Sequence, residues 1–361
     1  MKVTLILCIS CLTLLTTCHV GRFFVYNFAN INDYKKFQNT EIKKGAEIFN
    51  FETTNNELPL AKELNSELID TKTVVFVVIQ DDTIKYQWYD EKYDESSIVT
   101  SFSISKSYVS ALIGIALAEG SIKNLEEPIT NYIDLFKNEG FEKITIQHLL
   151  DMRTGIDYNE SYYNPFGNVA AGYYGRNLDR HIANLKIKSD PGQEFEYISI
   201  ATQLLGNIVE SATGKSVSHY MEEKIWSQIG MEHSASWSLD KKSGREKAFC
   251  CINARTLDFA KFARLYLKEG IYNSKQIIPK SWIKQSVEFT KDSEDEFYQN
   301  QWWLFGNSDP KQSEKVDFCA QGHLGQYMYI NPIKKTIILR FGKQYGGQSW
   351  TKLFRKINRN L

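Results

Sequence analysis

Residues 103–120 read Ser-Ile-Ser-Lys-Ser-Tyr-Val-Ser-Ala-Leu-Ile-Gly-Ile-Ala-Leu-Ala-Glu-Gly, and the rest of the chain is organised around them. In a helix, Ser103 and Lys106 are i and i+3 neighbours, so their side chains lie on one face. The apolar residues that follow surround nearly the whole helix, and Gly120 stands where a C-terminal cap belongs. The stretch predicts a helix through the middle of the fold, with a serine and a lysine at its start.

Length and composition limit the fold and the partners. The chain has 361 residues, of which 42% are hydrophobic, and its formal net charge is zero. This length is typical of about two domains, or of one large domain with an insertion. A balanced charge does not favour nucleic-acid binding, so we expect no nucleic-acid partner.

The N-terminal segment has the pattern of an export signal. Lys2 precedes an apolar run, Val3 to Leu15, that is too short to span a bilayer comfortably. The sequence Leu15-Thr-Thr-Cys18 resembles a bacterial lipoprotein cleavage box, in which Cys18 would carry the lipid. We therefore predict a signal peptide over residues 1–18 and an exported protein in the bacterial cell envelope or periplasm. Membrane contact would be made only through this lipid or signal anchor, or through an uncleaved leader.

Cysteine use predicts neither a disulfide framework nor a metal site. After the leader, only Cys250, Cys251 and Cys319 remain. Neighbouring cysteines rarely pair, and an odd number argues against a disulfide scaffold. No cysteine and histidine pair has the spacing of zinc ligands, so we expect no structural metal.

The order of predicted elements indicates the fold class. A hairpin, Thr73–Gln80 and Thr83–Tyr89, precedes the central helix, and antiparallel strands with a last helix, Trp350–Ile357, end the chain. The stretch between them, residues 121–245, is mostly helical. We predict an α+β fold over residues 60–361, with an antiparallel sheet sandwiched by helices and an inserted helical subdomain. Residues 19–59 would form an N-terminal arm over this body. Further helices are predicted at Ile146–Met152, Ile200–Ala212, Ser216–Ile229, Thr256–Glu269 and Pro279–Val287, with Thr145, Ser216 and Thr256 as caps, and strands at Lys315–Ala320, Gln326–Asn331 and Thr336–Phe341.

Three short motifs are candidates for chemistry, and each is weak alone. Ser103-x-x-Lys106 has the same form as segments at four other serines, but only Ser103 follows a hairpin and opens a long apolar helix. Tyr197-Ile-Ser199 follows a Pro-Gly turn and precedes a helix. Ala320-Gln-Gly322-His323 leads into a strand pair, where a glycine often marks a close approach. The alternatives are a plain helix cap at Ser103 and a bulge at Gly322.

Taken together, the motifs resemble those of the serine β-lactamases and penicillin-recognising enzymes. The similarity covers roughly residues 60–356 and is strongest to the class C-like branch, which includes carboxylesterases and 6-aminohexanoate-dimer hydrolases. It includes three long segments besides Ser103 to Lys106. They are Ile146-Gln-His-Leu-Leu-Asp-Met-Arg-Thr-Gly155, Pro191-Gly-Gln-Glu-Phe-Glu-Tyr197 and Gly322-His-Leu-Gly-Gln-Tyr-Met-Tyr-Ile-Asn-Pro332. Tyr-x-Ser in place of Tyr-x-Asn favours the 6-aminohexanoate-dimer hydrolases.

The resemblance implies acyl transfer through a covalent serine ester, with no cofactor. Ser103 would be the nucleophile, and Lys106 and Tyr197 would share the proton transfers, with Ser199 as a polar neighbour. Ordinary pKa values near 10 make neither group a good base at neutral pH unless it is perturbed, and the sequence leaves open which one accepts the proton. The oxyanion would be held by the backbone N–H of Ser103 and by that of His323, after Gly322.

One departure from the family pattern bears on the substrate. Ala320-Gln321-Gly322 stands where β-lactamases and peptidoglycan peptidases carry Lys-Thr/Ser-Gly, whose lysine helps to bind a substrate carboxylate. A small ester or amide without that carboxylate is therefore the expected substrate. The alternatives are a cell-wall D-amino-acid peptidase, transpeptidase or β-lactamase, and a non-catalytic envelope-binding protein. Aromatic residues of the loop 157–176 either line the pocket or only cover it; they are Tyr162, Tyr163, Tyr173 and Tyr174.

Overall fold

The strand Thr73–Gln80 is buried along nearly its whole length, and its sequence is apolar at odd and even positions alike. The computed structural model describes residues 18–54, 58–136, 138–288, 298–305 and 316–361. In it, this strand lies inside a mainly antiparallel sheet. Val75, Val77 and Ile79 face one apolar cluster, and Phe76 and Val78 face another. A continuous apolar run is what a strand with two covered faces requires.

In the described part of the chain the strands form one large sheet, one small sheet and one short two-stranded hairpin, Ile271–Tyr272 with Lys275–Gln276. In chain order they are β1 (Gln38–Ile42), β2 (Glu52–Thr53), β3 (Thr73–Gln80), β4 (Thr83–Tyr89), β5 (Ile98–Thr100), β6 (Ala235–Leu239), β7 (Ile252–Arg255), β8 (Ile271–Tyr272), β9 (Lys275–Gln276), β10 (Tyr298–Gln299), β11 (Trp302–Phe305), β12 (Asp317–Gly322), β13 (Gln326–Asn331) and β14 (Thr336–Gly342). The large sheet has the order β10-β11-β12-β13-β14-β3-β4-β2, and among its described strand pairs only β2–β4 is parallel. The predicted strand pairs at both ends of the chain are thus confirmed, with small changes at their ends.

Helices cover both faces of the large sheet. In chain order they are α1 (His19–Tyr26), α2 (Ala61–Asp70), α3 (Ser105–Ala118), α4 (Ile146–Leu150), α5 (Asn168–Tyr174), α6 (Leu178–Ala183), α7 (Ser199–Thr213), α8 (Val217–Met221), α9 (Thr256–Leu267), α10 (Lys280–Val287) and α11 (Trp350–Arg359). The central helix α3 lies in the main core, with its first twelve residues buried. The opposite face packs on α2 and α11 through residues such as Leu68 and Phe354. The α+β sandwich predicted from the sequence is confirmed.

The small sheet was not predicted. It has the order β1-β6-β7-β5, so it joins a strand of the N-terminal arm to a strand inside the region expected to be helical. Residues 121–245 therefore contain β6 as well as helices, and residues 19–59 contain α1 and β1. The arm also packs on the body, since the Arg22 Nε donates to the Tyr174 carbonyl at 2.5 Å. The boundaries of the arm and of the inserted subdomain stay predictions.

Helix starts and ends differ from the predictions in detail. Thr145 and Ser216 cap their helices as predicted, each accepting a backbone N–H with its hydroxyl. Thr256 does not cap α9, because it is the first residue of the helix and Arg255 occupies the cap position. The helix predicted over 216–229 changes to π-helical hydrogen bonding at Glu222.

The predicted signal peptide lies outside the described residues, except for Cys18. The sulfur of Cys18 accepts the Gly21 N–H at 3.3 Å at the start of α1. No helix in the described part of the chain is both long and apolar enough to cross a bilayer.

The buried side chain of Arg340 joins three segments of the chain beside the turn between β12 and β13. Its buried guanidinium donates to the carbonyls of Thr71 at 2.9 Å, Leu324 at 3.2 Å and Gln344 at 3.0 Å, and also to Gly325. Burial lowers the pKa of Arg340 to about 9. The side chain thereby orients the turn between β12 and β13, which carries His323.

Replacing Arg340 with methionine is expected to lower the free energy of unfolding by about 3 kcal/mol or more, because several buried carbonyls lose their donor. Urea unfolding followed by circular dichroism measures the change. Lys335→Met is the control, since Lys335 pairs with Asp81 where both side chains are exposed, and it should cost less than about 1 kcal/mol. Equal effects of the two substitutions would contradict this role of Arg340.

Candidate active site

Ser103 follows a sharp turn between β5 and α3. It lies in a single 3-10 turn, Phe102–Ile104, that leads into α3, and its side chain is buried but for 9% of its surface. Phe102 has φ +43°, a left-handed conformation that costs an L-residue of order 1 kcal/mol. Ser101 holds this turn, because its N–H donates to the Ile252 carbonyl at 2.8 Å and its hydroxyl accepts the Ile252 N–H at 3.0 Å. The hydrogen bonds between Ser101 and Ile252 therefore fix the backbone turn that carries Ser103.

Lys106 lies one turn further along and is almost completely buried. Its Nζ is 3.0 Å from the Ser103 Oγ, 3.3 Å from the Ser199 Oγ and 2.8 Å from the Phe249 carbonyl. Burial lowers the pKa of Lys106 to about 7, and the charge of Glu160 opposes that change. The amine is therefore neutral for a large fraction of the time at neutral pH, and a neutral amine can accept a proton.

Tyr197 lies two residues before α7 begins, and its ring packs beside Lys106. Its ring centroid is 5.2 Å from the Lys106 Nζ, and its ring stacks on Trp303 with centroids 5.6 Å apart. Burial and then the charge of Glu160 raise the pKa of Tyr197, while the nearby Ser103 hydroxyl acts in the opposite direction. The phenol thus stays protonated at neutral pH and can donate a proton.

Ser199 opens α7 and links Lys106 to a carboxylate that sequence reasoning missed. The Ser199 N–H donates to Glu160 Oε2 at 2.8 Å, and its hydroxyl donates to Oε1 at 2.5 Å. The Tyr162 hydroxyl donates to the same Oε1 at 2.9 Å. Glu160 lies in the segment 157–176, which the sequence predicts as a long tyrosine-rich loop but which contains the helix α5 from Asn168 to Tyr174. The acid group of Glu160 could have been considered with those tyrosines.

The turn after β12 closes the site on the other side. A Cβ atom on Gly322 would lie 2.6 Å from the Ser101 carbonyl oxygen, so a side chain there would collide with the backbone that presents Ser103. The predicted close approach at this glycine is thus confirmed. His323 lies in the turn, outside the strand, where its ring stacks on Tyr162 with centroids 4.5 Å apart. Burial lowers the pKa of His323 to about 4, so its ring is neutral.

A mostly apolar cavity opens in front of Ser103. Of the four tyrosines that either line or only cover the pocket on sequence grounds, Tyr162, Tyr173 and Tyr174 line it, whereas Tyr163 is 66% exposed and is not among the lining residues. Besides Ser103 and those tyrosines, the lining consists of Ala29, Phe102, Val169, Ala170, Ser199, Phe249, Cys250 and His323. No Lys or Arg is found among these described lining residues. In the described part of the chain, no group of three or more His, Cys, Asp or Glu could hold a metal ion.

Cys250 and Cys251 form a disulfide with each other, so the prediction that these neighbours do not pair is wrong. Cys251 has φ +75°, a turned backbone that brings the two adjacent side chains to one side. The pair directly follows Phe249, whose carbonyl accepts the Lys106 N–H. The disulfide therefore lies next to the Phe249 carbonyl, one of the three groups that contact the Lys106 amine.

Comparison with known proteins gives a consistent result. The model of the family described as Beta-lactamase matches residues 64–357. A 6-aminohexanoate-dimer hydrolase of Paenarthrobacter ureafaciens is 24% identical over 299 residues, which cover 77% of this chain and 74% of the relative. A solved structure from Bacillus anthracis, assigned as a 6-aminohexanoate-dimer hydrolase, has a TM-score of 0.74 at 26% identity, covering 91% of this chain and 92% of that one. A class C β-lactamase structure, at 14% identity and a TM-score of 0.65 over 84% and 95% of the two chains, shares the fold.

Proposed function

The chain belongs to the β-lactamase family of serine hydrolases, and from that premise we propose that it cleaves small ester or amide bonds through an acyl-enzyme on Ser103. The supporting observation is the convergence of three side chains from two segments that are far apart in the sequence. The Lys106 amine lies 3.0 Å from the Ser103 hydroxyl, and the Tyr197 ring centroid lies 5.2 Å from the same amine. A nucleophile within hydrogen-bond reach of a base, with an acid beside them, is the arrangement that covalent hydrolysis needs.

Lys106 accepts the proton in the proposed mechanism, and Tyr197 donates one. The pKa of Lys106 is lowered to about 7, so its amine is available as a base, whereas the pKa of Tyr197 is raised. Ser103 attacks the substrate carbonyl as its proton passes to Lys106. The leaving alcohol or amine then receives a proton from Tyr197, and water cleaves the acyl-enzyme by the reverse sequence of proton transfers.

Two backbone donors would hold the oxyanion. The N–H of Ser103 lies at the start of the helical segment, where the helix dipole adds a partial positive charge. The N–H of His323 follows Gly322, whose close approach to Ser101 brings the two turns together. Loss of one such donor typically costs about a hundred- to a thousand-fold in rate.

The lining of the cavity favours a neutral acyl group. Phe102, Val169 and Phe249 give it an apolar surface, and Ala320 replaces the family lysine that helps to bind a carboxylate. These features disfavour the two alternatives that need an anionic substrate, a β-lactamase and a D-amino-acid peptidase. The buried amine within reach of Ser103 disfavours a non-catalytic binding protein.

Export to the cell envelope, with a lipid on Cys18, is proposed on the leader sequence alone.

Activity is expected to fall as the pH decreases through about 7. Lys106 has a lowered pKa of about 7, so its base form is lost below that value and retained above it. The ratio kcat/KM for a p-nitrophenyl ester should therefore be about tenfold lower at pH 6 than on the plateau, since about a tenth of the amine remains neutral there. An initial-rate profile from pH 5 to 9 measures this, and a rate that is flat across neutral pH would contradict Lys106 as the base.

A substrate panel tests the proposed reaction. Purified protein is incubated with p-nitrophenyl esters, with anilides of the same acyl groups, and with nitrocefin and a D-alanyl-D-alanine peptide. We expect turnover of the short esters or anilides and little turnover of the last two. Turnover of nitrocefin or the peptide as fast as the esters would favour the cell-wall alternatives, and no turnover of any compound by folded protein would favour the binding protein.

A further inference from the structure

Glu160 takes part in a hydrogen-bond chain that ends at the nucleophile. Its two carboxylate oxygens accept the N–H and the O–H of Ser199, and Oε1 also accepts the Tyr162 hydroxyl. The Ser199 Oγ lies 3.3 Å from the Lys106 Nζ, which lies 3.0 Å from the Ser103 Oγ. Among the described residues Glu160 makes no hydrogen bond to Ser103, so its hydrogen-bonded link to that serine passes through Ser199 and Lys106.

The direction of each hydrogen bond follows from the donors present. An ionised carboxylate only accepts, so the single proton of the Ser199 hydroxyl points to Glu160 and leaves Ser199 Oγ as an acceptor for Lys106. The Phe249 carbonyl, 2.8 Å from the Lys106 Nζ, also only accepts. A neutral amine has two protons and one lone pair. Both protons are then used by Ser199 and Phe249, and the lone pair is left for the Ser103 O–H.

We infer that Glu160 is a positioning residue that sets the direction of this chain and so aims the Lys106 lone pair at the proton of Ser103. The inference rests on the proposed function, in which Lys106 is the base. Without the carboxylate, the Ser199 hydroxyl is free to turn and donate to Lys106. The lone pair would then be used by Ser199, and the amine would direct a proton at Ser103.

Electrostatics around Lys106 point the same way. The titratable groups that face the site are Glu160, Tyr162, Tyr173 and Tyr174 from the segment 157–176, Tyr197 before α7, His323 from the β12–β13 turn, and Tyr345, which hydrogen-bonds with the His323 ring. Burial raises the pKa of each of these tyrosines and lowers that of His323 to about 4, so the tyrosines and His323 are neutral at pH 7. Glu160 is the one group whose charge acts on the pKa of Lys106, and it raises that pKa against burial.

A purely structural role for Glu160 is the alternative, because a carboxylate that accepts N–H groups at the first turn of α7 also stabilises the helix. The two roles differ in the pH dependence of catalysis. Loss of a helix cap lowers the free energy of unfolding, but it does not change the pH at which Lys106 loses its proton. Removal of the charge beside Lys106 lowers that pH.

The test is Glu160→Gln, which keeps the shape but removes the charge and one acceptor. We expect kcat for a p-nitrophenyl ester to fall about 10- to 100-fold with KM nearly unchanged, and the acid limb of the kcat/KM profile to move to lower pH. Glu196→Gln is the matched control, since Glu196 is next to Tyr197 in sequence but pairs with Lys188 at the surface. It should leave both kcat and the acid limb as in the wild type.

Ser199→Ala and the double variant provide a second measurement if Glu160→Gln folds poorly or loses thermal stability. In the Ser199→Ala background, Glu160→Gln should reduce kcat by much less than it does alone, because the hydroxyl that it directs is absent. Additive losses, or a Glu160→Gln variant with wild-type kcat and an unmoved acid limb, would overturn the inference. Wild-type protein that hydrolyses no ester and is not labelled at Ser103 would instead overturn the proposed function, and this inference with it.

Discussion

Replacing Ser103 with alanine is expected to abolish hydrolysis of p-nitrophenyl esters, with a fall in kcat of about a thousandfold or more. Ser103 supplies the only atom that forms the covalent bond in the proposed mechanism, so no neighbour can replace it. Its side chain is small and buried to all but 9%, and alanine fits the same space. The melting temperature should therefore stay within about 3 °C of the wild-type value. Initial rates and thermal unfolding of the purified variant measure both quantities.

Ser110→Ala is the matched control for this experiment. Ser110 lies on the same helix, is fully buried, and has a hydroxyl without a hydrogen-bond partner among the described residues. The control should retain activity close to that of the wild type. Ester hydrolysis that survives in Ser103→Ala at a rate near that of Ser110→Ala would remove Ser103 from the mechanism.

Lys106→Met is expected to be nearly as damaging, with a fall in kcat of about a thousandfold, because members of one catalytic unit do not act additively. Methionine is similar to lysine in length but has no basic group, so the loss of activity reports the loss of the Lys106 amine. The folded protein lowers the pKa of this lysine from 10.5 to about 7. Between those values the unfolded chain binds the proton more readily, so burial of the amine destabilises the fold near neutral pH. The variant should therefore lose activity without a large loss of melting temperature.

Lys247→Met separates basicity at the site from burial of an amine in general. Lys247 is also fully buried, with a pKa lowered to about 7, but its Nζ lies 3.2 Å from the Gly172 carbonyl instead of near Ser103. We expect this variant to keep most of the esterase activity, with a normal pH profile. Equal loss of activity in the two variants, with both proteins folded, would contradict Lys106 as the base.

The central helix and the sandwich could be predicted because their signals are local. The strand Thr73–Gln80, and the 3-10 turn with Ser103 and the buried helix α3 that follows it, each carry their pattern within about twenty residues. The small sheet could not be predicted in this way. Its pair of β1 with β6 joins residues nearly two hundred positions apart, and Gln38–Ile42 is a short, mostly exposed strand without an apolar run.

The residues of the site also differ in whether a local sequence pattern predicts them. Ser103, in the 3-10 turn before α3, and Lys106, in the first turn of α3, are three residues apart, so a local pattern predicts them together. Tyr197 and Ser199 are predicted only by the resemblance to a family, and the comparisons confirm that the chain belongs to this family. Glu160 belongs to no recognisable sequence motif, and its place in the site becomes visible through its hydrogen bond with Ser199 in the folded chain. The disulfide between Cys250 and Cys251 was excluded on a general rule about neighbours, which the left-handed backbone at Cys251 circumvents.

The most direct test of the account is the site of covalent modification by a fluorophosphonate probe, mapped by peptide mass spectrometry after digestion. The probe phosphonylates activated serine nucleophiles. The account predicts one adduct per chain, located on Ser103 and absent from Ser103→Ala and Lys106→Met. An adduct on another residue, or no adduct on protein that still hydrolyses esters, would contradict it.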